Sequence, residues 1–480
     1  MFRTHLRITH NPALVAARRS ASTQVSQTRK QKLVVLGSGW GGYNVARKAD
    51  KDLYDVTVVS PNSYFSFTPF LASTAVGTLE FRCATEPVRG LKNVKFAQGW
   101  ANQIDFANHT VEVEPALPPL VDDGGKQSLD AYNHIQKLPK DVRMDNYKLA
   151  YDKLVISVGC YSASFGIPGV AKYAFFLKDI KDARAIRKRL LERLEQALHP
   201  SISPADRKKL LQFAIVGAGP TGVEFAAELH DFIEGDIYRI MPELRGEIKI
   251  RVYDVAPGIL MSFDQSLREY AESKFAREGI EARPSSKITA VGPDWLELDG
   301  EGGKHREPYG LLVWSTGLSA NPLLQSMENV AKDEKTQSIR VNEHLSVLDP
   351  QCNAIPGVFA IGDNSMPVSG RLPATAQVAS QMAKYTAKML NANAVGAKLD
   401  NYPGFRWRNK GSMVLLGDHQ GILDRSADTI SGPRSRMAGF LAWVAWRSYY
   451  MMLAMGWRNK IRVPVGWFLT YFFGRDVSRF

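Results

Sequence analysis

The sequence contains few cysteines, and they lie far apart. Cys83, Cys160 and Cys352 are the three in the 480-residue chain, and no Cys-x-x-Cys pair occurs. This spacing argues against a disulfide scaffold, a zinc site and a thioredoxin-type redox pair. Any redox chemistry of the chain would therefore belong to a bound cofactor.

Long uncharged apolar runs are also missing. A membrane-spanning helix needs about 20 apolar residues. The most apolar window, 437–456, is interrupted by Arg447, and an arginine at mid-bilayer costs about 2.5–3.5 kcal/mol even on insertion scales. A second window, 463–473, is too short. The sequence therefore predicts neither a transmembrane helix nor the polytopic region that a proton pump would need.

Most of the chain has almost no net charge, although the total is +13. Residues 1–32 carry +7 and residues 434–480 carry another +7, which leaves −1 for the residues between them. Because the basic residues are confined to two ends, the charge does not favour nucleic-acid binding. With 45% apolar residues and no low-complexity block, the chain is long enough for two or three globular domains.

Residues 1–30 contain no Asp or Glu and are rich in Arg, Ser and Thr. Placed on a helix, their apolar residues lie opposite the basic ones. This arrangement predicts a mitochondrial transit peptide, and a disordered basic tail is the alternative. Further along, residues 115–147 combine Pro, Asp-Asp-Gly-Gly and mixed charge, which predicts a surface insertion between strands.

Two glycine-rich motifs with the same internal spacing organise the rest of the sequence. Each stands between an apolar, strand-like run and a helix-like run, which is the context that a dinucleotide-binding fingerprint requires. The first glycine permits a tight turn, the second lets the backbone approach a pyrophosphate, and the third lets helix and strand pack closely. The predicted binding residues are Gly37, Ser38, Gly39, Trp40, Gly41 and Gly42 in the first motif, and Gly217, Gly219, Pro220, Thr221 and Gly222 in the second. Two fingerprints in one chain predict two dinucleotides held for electron transfer.

Two predicted strands, 54–60 in the first unit and 247–254 in the second, each end in a residue that bears on nucleotide choice. In the first unit this residue is Ser60, where an acid is usual, although a hydroxyl can still bond a ribose. In the second unit it is Asp254, and no arginine follows at 255 or 256. Because a carboxylate accepts the ribose hydroxyls and repels a 2′-phosphate, this pattern predicts NADH rather than NADPH. The long separation between Gly222 and Asp254 predicts an extended helix or insertion around 232–246.

Three further apolar runs end in residues of interest. The runs 151–159 and 311–317 end in Gly159 and Gly317, and the run 357–364 presents Gly362 and Asp363. An acid after such a strand can bond the ribityl chain of a flavin, and an ordinary strand-ending turn is the alternative. The helix that starts near 373 has Gln377 and Gln381 one turn apart on one face. Two amides there could line a ring-binding cleft, although such pairs usually form a solvated face.

The last part of the chain is both aromatic and basic. Residues 434–480 contain four of the nine tryptophans, with arginines interleaved among them. Helices with Trp and Phe on one side and Arg on the other typically lie in the membrane interface. We therefore expect 401–480 to be an amphipathic helical, membrane-anchoring region, and a packed subdomain or dimer contact is the alternative.

Several segments, in the same order, resemble the type II (alternative, non-proton-pumping) NADH:ubiquinone oxidoreductases of mitochondria. The segments are GSGWGG, SPNSYFSFTP with LASTAVGTLE, GAGPTGVEFAAEL, FAIGD and AQVASQ, and the resemblance extends from about residue 32 to the end. It implies an α/β flavoprotein fold with two dinucleotide-binding, Rossmann-like units. The expected domains are a transit peptide (1–30), an FAD-binding domain (31–177 and 318–400), an NADH-binding domain (178–317) and the membrane-anchoring region (401–480).

The resemblance also implies roles for individual residues. FAD is expected on the first unit, with Asp363 on the flavin side, and NADH is expected on the second unit. The further residues expected to bind a cofactor are Ser60, Thr68, Pro69, Gly159, Gly317 and Gly362. Glu224 matches the family's glutamate near the nicotinamide, as the catalytic-site residue that orients NADH more than as a proton donor. Gln377 and Gln381 match its quinone-site glutamines. Ser380 and Cys160 depart from the usual pattern and leave the details of quinone contact open.

The expected reaction is oxidation of the substrate NADH and two-electron reduction of ubiquinone, without a metal. The expected location is the mitochondrial inner membrane, on a face that the sequence does not determine, and the tail is compatible with a homodimer. A sulfide:quinone oxidoreductase-like flavoprotein is the nearest alternative. A soluble NADH-dependent ferredoxin-reductase-like enzyme and a non-enzymatic, nucleotide-sensing scaffold are further alternatives.

Overall fold

The computed structural model describes residues 29–116, 144–300, 303–426, 435–454 and 456–478. Nearly all of the predicted transit peptide, and the central part of the insertion predicted at 115–147, lie outside these residues. The chain folds into two α/β units, each with its own sheet, and a C-terminal region that packs on them. This architecture confirms the predicted fold class.

The sheet of the first unit has ten strands. Their spatial order is Ser365–Pro367, Ile339–Val341, Ser346–Leu348, Ala354–Ala360, Lys153–Ile156, Gln31–Leu36, Tyr54–Ser60, Val94–Asp105, Thr110–Pro115 and Tyr147–Ala150. The five strands in the middle, from Ala354–Ala360 to Val94–Asp105, run parallel. The central strand Gln31–Leu36 is an apolar run whose last four residues are fully buried, as expected when helices cover both faces.

The sheet of the second unit has five parallel strands. Their order is Phe175–Phe176, Leu311–Trp314, Gln212–Val216, Lys249–Tyr253 and Glu281–Arg283. A three-stranded antiparallel sheet of Lys287–Val291, Trp295–Gly300 and Gly303–Pro308 extends this unit. Two short antiparallel pairs complete the units: Tyr64–Ser66 with Thr85–Pro87, and Cys160–Ser162 with Leu318–Ala320.

The helices connect and cover these sheets. They are Trp40–Lys48, Leu71–Ala75, Val170–Tyr173, Ile180–Ala197, Pro204–Leu210, Pro220–Phe232, Tyr238–Ile240, Gln265–Glu278, Pro322–Gln325, Ala376–Ala394, Phe440–Leu453 and Trp457–Phe473. The Pro220–Phe232 helix continues through a π-helical turn at Ile233–Ile237. The extended helix predicted between Gly222 and Asp254 is therefore confirmed.

The C-terminal region contains a sheet that the sequence analysis did not predict. Its strands Ser412–Gly417, Gln420–Asp424 and Arg436–Gly439 are antiparallel, and the first of them packs against the Pro220–Phe232 helix. The helices Phe440–Leu453 and Trp457–Phe473 follow this sheet. Among the described residues, no helix is both long and apolar enough to cross a membrane.

Candidate functional site

A cavity of about 940 Å³ opens between the two glycine-turn units. It is bordered by many of the predicted binding residues: Gly37, Ser38, Gly39, Trp40, Gly41, Ser60, Thr68, Gly159, Thr221, Gly317, Gly362 and Asp363. The remaining predicted residues do not border it: Gly42, Pro69, Gly217, Gly219, Pro220, Gly222, Glu224, Asp254, Gln377 and Gln381. The first turn therefore borders the cavity along its length, whereas the second turn borders it at Thr221 alone.

Both turns have the backbone geometry that glycine permits. Gly37 and Gly217 have φ angles of +97° and +106°, which L side chains rarely adopt. A Cβ on Gly42 would lie 1.9 Å from the Gly37 carbonyl oxygen, and a Cβ on Gly222 would lie 1.9 Å from that of Gly217. The third glycine of each motif is therefore required for close packing of helix on strand.

The space above each turn is open. A Cβ on Gly39 or Gly219 would meet no heavy atom within 4 Å. These two glycines are the N-caps of the Trp40–Lys48 and Pro220–Phe232 helices, and neither helix has a side-chain cap. Backbone N–H groups at an uncapped helix N-terminus attract anions, so each turn is suited to a pyrophosphate.

Hydroxyl groups hold the end of the strand after the first turn. The hydroxyls of Ser38 and Ser60 lie 2.9 Å apart, and both residues are buried. Ser38 also donates to the Tyr64 carbonyl at 3.0 Å, and Trp40 Nε1 donates to Thr68 Oγ1 at 3.0 Å. Ser60, which occupies the position where an acid is usual, therefore belongs to the hydroxyl network that orders the first turn.

Asp363 lies beside two polar side chains at the wall of the cavity. Cys160 Sγ donates to Asp363 Oδ2 at 3.1 Å, while Lys178 Nζ donates to the same sulfur at 2.9 Å. Lys178 Nζ is also 4.0 Å from Asp363 Oδ2. Burial, followed by the nearby Asp363 carboxylate, raises the pKa of Cys160 to about 11. The residue is therefore a thiol at neutral pH and a weak nucleophile.

Lys178 was not singled out from the sequence. It lies just before the Ile180–Ala197 helix, and no motif marks it. Only the packing of this helix start against the first unit brings the ammonium to Cys160 and Asp363. The sequence does indicate where this helix starts, because Asp179 and Asp182 form a capping box.

Asp254 is fixed beside the second turn. Its Oδ2 accepts a hydrogen bond from the Ala218 amide at 2.6 Å, and its Oδ1 accepts one from the Ala256 amide at 2.9 Å. The carboxylate is therefore oriented by the backbone of the glycine turn itself. It can accept further bonds, because each carboxylate oxygen has two lone pairs.

Glu224 lies one turn into the Pro220–Phe232 helix and contacts the C-terminal region. Its Oε1 accepts from the Leu415 amide at 3.1 Å and from Trp446 Nε1 at 3.0 Å. Burial raises the pKa of Glu224 to about 8, with a smaller contribution from the nearby Glu228 carboxylate. The side chain is therefore largely protonated at neutral pH.

Gln377 and Gln381 lie on one face of the Ala376–Ala394 helix, as predicted. Gln377 accepts from the Lys410 amide at 3.0 Å and donates to the Gly411 carbonyl at 3.3 Å. Gln381 accepts from the Arg408 amide at 3.1 Å and donates to its carbonyl at 2.8 Å. Both amides therefore hold the segment that leads into the C-terminal sheet.

Comparison with known proteins accounts for both parts of the chain. Residues 31–383 match the family model of pyridine nucleotide-disulphide oxidoreductases. Residues 409–476 match the model of the NDH2 C-terminal domain. The second match covers the C-terminal sheet and the helices Phe440–Leu453 and Trp457–Phe473.

Relatives and solved structures align over nearly the whole chain. A probable NADH dehydrogenase of Dictyostelium discoideum is 37% identical over 94% of this chain and 91% of its own length. The external NADH-ubiquinone oxidoreductase 2 of Saccharomyces cerevisiae mitochondria is 35% identical over 94% and 82%. The structure of NDH2 from Plasmodium falciparum in complex with NADH has a TM-score of 0.82 and 26% identity, over 94% of this chain and all of that one. The chain therefore belongs to the pyridine nucleotide-disulphide oxidoreductases and, within them, to the type II NADH:ubiquinone oxidoreductase family.

Proposed function

We propose that this protein oxidises NADH and reduces ubiquinone through a bound FAD, without translocating protons. The observation that carries the proposal is the pair of equivalent glycine turns, which begin at Gly37 and Gly217 on two units that share one cavity. The names of the relatives support it, since they include an internal alternative NAD(P)H-ubiquinone oxidoreductase of Solanum tuberosum and the external yeast enzyme.

The residues around the first turn fit FAD. The uncapped start of the Trp40–Lys48 helix, with open space above Gly39, suits the pyrophosphate. We assign Ser60 to the adenosine ribose and Asp363 to the ribityl chain, at two points on the border of the same cavity. When bound, FAD supplies the ability to accept a hydride from NADH and to pass two electrons to a quinone.

The second turn is assigned to NADH. We propose that the uncapped start of the Pro220–Phe232 helix binds its pyrophosphate and that Asp254 accepts its ribose hydroxyls. Because the backbone amides of Ala218 and Ala256 orient Asp254, its charge stays where a 2′-phosphate would otherwise lie. Glu224, in the same helix, would orient the nicotinamide as a neutral hydrogen-bonding group.

We assign the quinone to the side of the first unit that carries Gln377 and Gln381. Their amides hold residues 408–411 against the Ala376–Ala394 helix, next to the C-terminal region. A quinone carbonyl would have to accept a hydrogen bond from an N–H of these amides that the bonds to residues 408–411 leave unused.

We propose that the C-terminal helices lie in a membrane surface. Thirteen large apolar side chains on them are exposed: Phe440, Leu441, Val444, Met452, Leu453, Trp457, Ile461, Val465, Phe468, Leu469, Tyr471, Phe472 and Phe473. Exposed apolar patches of this extent mark interaction sites, and the interspersed arginines suit the interface of an anionic membrane. We propose the mitochondrial inner membrane as the location, since the relatives include both internal and external mitochondrial enzymes.

One experiment tests the central proposal. The purified protein should carry flavin absorbance, which NADH bleaches under anaerobic conditions and a short-chain ubiquinone restores. Absence of flavin, or flavin that NADH does not reduce, would contradict the proposal. Reduction without reoxidation by quinone would identify a different electron acceptor.

Sulfide-dependent quinone reduction is the useful control reaction. The structure of the sulfide:quinone oxidoreductase from Aquifex aeolicus shares this fold, with a TM-score of 0.64 at 18% identity. A thiol relay needs cysteines beside the flavin. In this protein Cys83 is buried and Cys352 is exposed, and Cys160 is held as a thiol between Lys178 and Asp363. We therefore expect no sulfide-dependent quinone reduction.

A further inference from the structure

Four acidic side chains on the Pro220–Phe232 helix and its π-helical extension point to regions outside their own unit. They are Glu224, Glu228, Asp231 and Asp236. Glu224 binds the Leu415 amide, and the carboxylate of Asp231 accepts from the Asp418 amide at 2.9 Å. The other two carboxylates meet at a single cation near the end of the chain, Arg475.

Arg475 is buried in the junction of all three parts of the molecule. Its Nη1 donates to Asp236 Oδ2 at 2.9 Å and to the Asp231 carbonyl at 3.3 Å, both in the second unit. Its Nη2 is 3.7 Å from Glu228 Oε2. The side chain is only 11% exposed, and those of Glu228 and Asp236 are 9% and 4% exposed.

The same guanidinium reaches the first unit. Arg475 Nε donates to Thr78 Oγ1 at 2.9 Å, and Thr78 is a buried residue shortly after the Leu71–Ala75 helix. The Thr78 hydroxyl in turn donates to Glu228 Oε2 at 2.6 Å, while the Ser73 hydroxyl donates to Glu228 Oε1 at 2.6 Å. Arg475 therefore completes a buried hydrogen-bond network that joins the two glycine-turn units to each other.

The segment that carries Arg475 is itself anchored on both sides. The Arg475 amide donates to Asp236 Oδ1 at 3.1 Å, and Arg187 Nη2 donates to the Asp476 carbonyl at 2.9 Å. The guanidinium is thus held in place by its own backbone as well as by its partners. Its planar fork of donors can satisfy several acceptors at once, which a lysine ammonium on a flexible stem cannot do in the same geometry.

We propose that Arg475 is a positioning residue that sets the placement of the NADH-binding helix relative to the FAD-binding unit. Hydride transfer requires the reacting atoms to lie about 3–3.5 Å apart, and a misplacement of about 1 Å can lower the rate about 100-fold. The bridge through Thr78, Glu228 and Asp236 lies along the helix that begins at the second glycine turn. Arg475 does not border the shared cavity, and the two glutamines assigned to the quinone bond residues 408–411 instead. The inference rests on the proposed function and adds a residue that controls its first step.

The main test is Arg475→Met, with the two half-reactions measured separately on FAD-loaded protein. We expect anaerobic flavin reduction by NADH to slow at least about tenfold. Reoxidation of chemically reduced protein by a short-chain ubiquinone should stay within about twofold of the unmodified protein. Equal slowing of both half-reactions, or of neither, would overturn the proposal.

Hydrogen exchange provides a readout that does not depend on activity. In Arg475→Met, the backbone amides of residues 220–240 and 71–79 should exchange faster, because the bonds of Arg475 to Asp236 and Thr78 are lost and the bonds of Ser73 and Thr78 to Glu228 alone join the two units there. Unchanged exchange in both segments would overturn the proposal. This readout also separates the two hypotheses: if NADH fails to reduce the flavin of the unmodified protein, the proposed function fails, whereas the exchange result still tests the bridge.

Two further variants protect the test against misfolding. Thr78→Val removes the hydroxyl at the first-unit end of the bridge without leaving an unpaired charge, and we expect an intermediate slowing of flavin reduction. Arg475→Lys keeps the charge, and should restore the folded yield while flavin reduction remains slow. If Thr78→Val reduces flavin at the unmodified rate, the bridge does not position the helix.

Arg239→Met is the matched control. Arg239 also pairs with Asp236, at 3.4 Å, but its side chain is 60% exposed, and Asp236 is the one carboxylate that it pairs with among the described residues. Its removal should leave both half-reactions within about twofold of the unmodified protein. A slowing equal to that of Arg475→Met would show that any loss of charge near Asp236 has this effect.

Discussion

The two glycine-turn units have the same backbone geometry and differ in what surrounds it. Both turns start at a glycine with a strongly positive φ, and in both a Cβ on the third glycine would lie 1.9 Å from the carbonyl of the first. Yet the shared cavity is bordered by Gly37, Ser38, Gly39, Trp40 and Gly41 of the first turn and by Thr221 alone of the second. A turn that borders a cavity along its length suits a resident cofactor, which is the role that we propose for FAD at the first turn.

The helices that follow the turns differ in the same sense. Asn44 in the first helix corresponds to Glu224 in the second, because each is the second residue after the third glycine of its motif. Asn44 is buried and its amide donates to the Trp40 carbonyl, within its own helix. Glu224 instead binds Leu415 and Trp446. The first helix is thus internal to its unit, whereas the second joins the second glycine turn to the C-terminal region.

The largest effect should come from blocking the two turns one at a time. Gly42→Val should abolish FAD binding, because its Cβ would overlap the Gly37 carbonyl. Gly222→Val should keep FAD while kcat/KM for NADH falls by about 100-fold or more, since the second turn is displaced. Flavin absorbance and steady-state kinetics on the same preparations measure both. If both variants lost flavin equally, the assignment of one nucleotide to each turn would be wrong.

A smaller effect is expected where the strands after the turns differ. Combining Asp254→Ala with Val255→Arg should shift the ratio of kcat/KM for NADH over NADPH by about 100-fold toward NADPH. Charge-assisted bonds to the ribose contribute about 1.5–3 kcal/mol, and the new arginine can pair with the 2′-phosphate. Steady-state kinetics with both nucleotides provide the measurement, with flavin content as the control. An unchanged ratio would show that Asp254 only orders the turn through Ala218 and Ala256.

The third prediction concerns Glu224, which has the neutral Asn44 as its counterpart. Its pKa is about 8 in the folded protein, against 4.5 as the ordinary value. Between these values the folded state binds more protons than the unfolded state, so this residue lowers the free energy of unfolding as pH rises. Glu224→Gln cannot titrate, so its stability relative to the unmodified protein should increase from pH 5 to pH 8.5. Urea unfolding at several pH values measures the difference, and a constant difference would contradict the burial of this carboxyl.

The smallest effect should come from Ser60→Ala in the first unit. The lost hydroxyl bonds Ser38 within a network that also includes the Tyr64 carbonyl, and a hydrogen bond of this kind contributes about 0.5–1.5 kcal/mol. The dissociation constant for FAD should therefore increase by less than about tenfold. Titration of the apoprotein with FAD measures it. Complete loss of FAD would mean that Ser60 contributes as much as an acid at this position.

Much of the fold was predictable because its signals are local. The strand predicted at Tyr54–Ser60 has these same bounds in the structure. The charged, amphipathic pattern of residues 178–199, which ends at Pro200, predicts a helix, and the structure has it at Ile180–Ala197. Periodicity, glycine turns and a capping box determine such elements within a few residues of chain. The strand predicted at 151–159 is shorter, Lys153–Ile156, because the chain leaves the sheet before Gly159.

The C-terminal sheet and the bridge at Arg475 were not predictable in this way. The strands Ser412–Gly417 and Arg436–Gly439 are short. They become strands by pairing with Gln420–Asp424, and Ser412–Gly417 also packs on the Pro220–Phe232 helix, far earlier in the chain. Nothing beside Arg475 in the sequence distinguishes it from the other arginines of the tail. Its partners Thr78 and Asp236 are 397 and 239 residues away along the chain.

The sequence by itself therefore determined the two nucleotide turns, the carboxylate at Asp254 and the family, because each depends on residues close together in the chain. The tertiary structure decided how the two units share one cavity, which turn borders that cavity along its length, and how Cys160, Lys178 and Asp363 meet. It also decided that Glu224 faces the C-terminal region. These features depend on side chains from distant segments, whose proximity results from packing and burial rather than from local propensity.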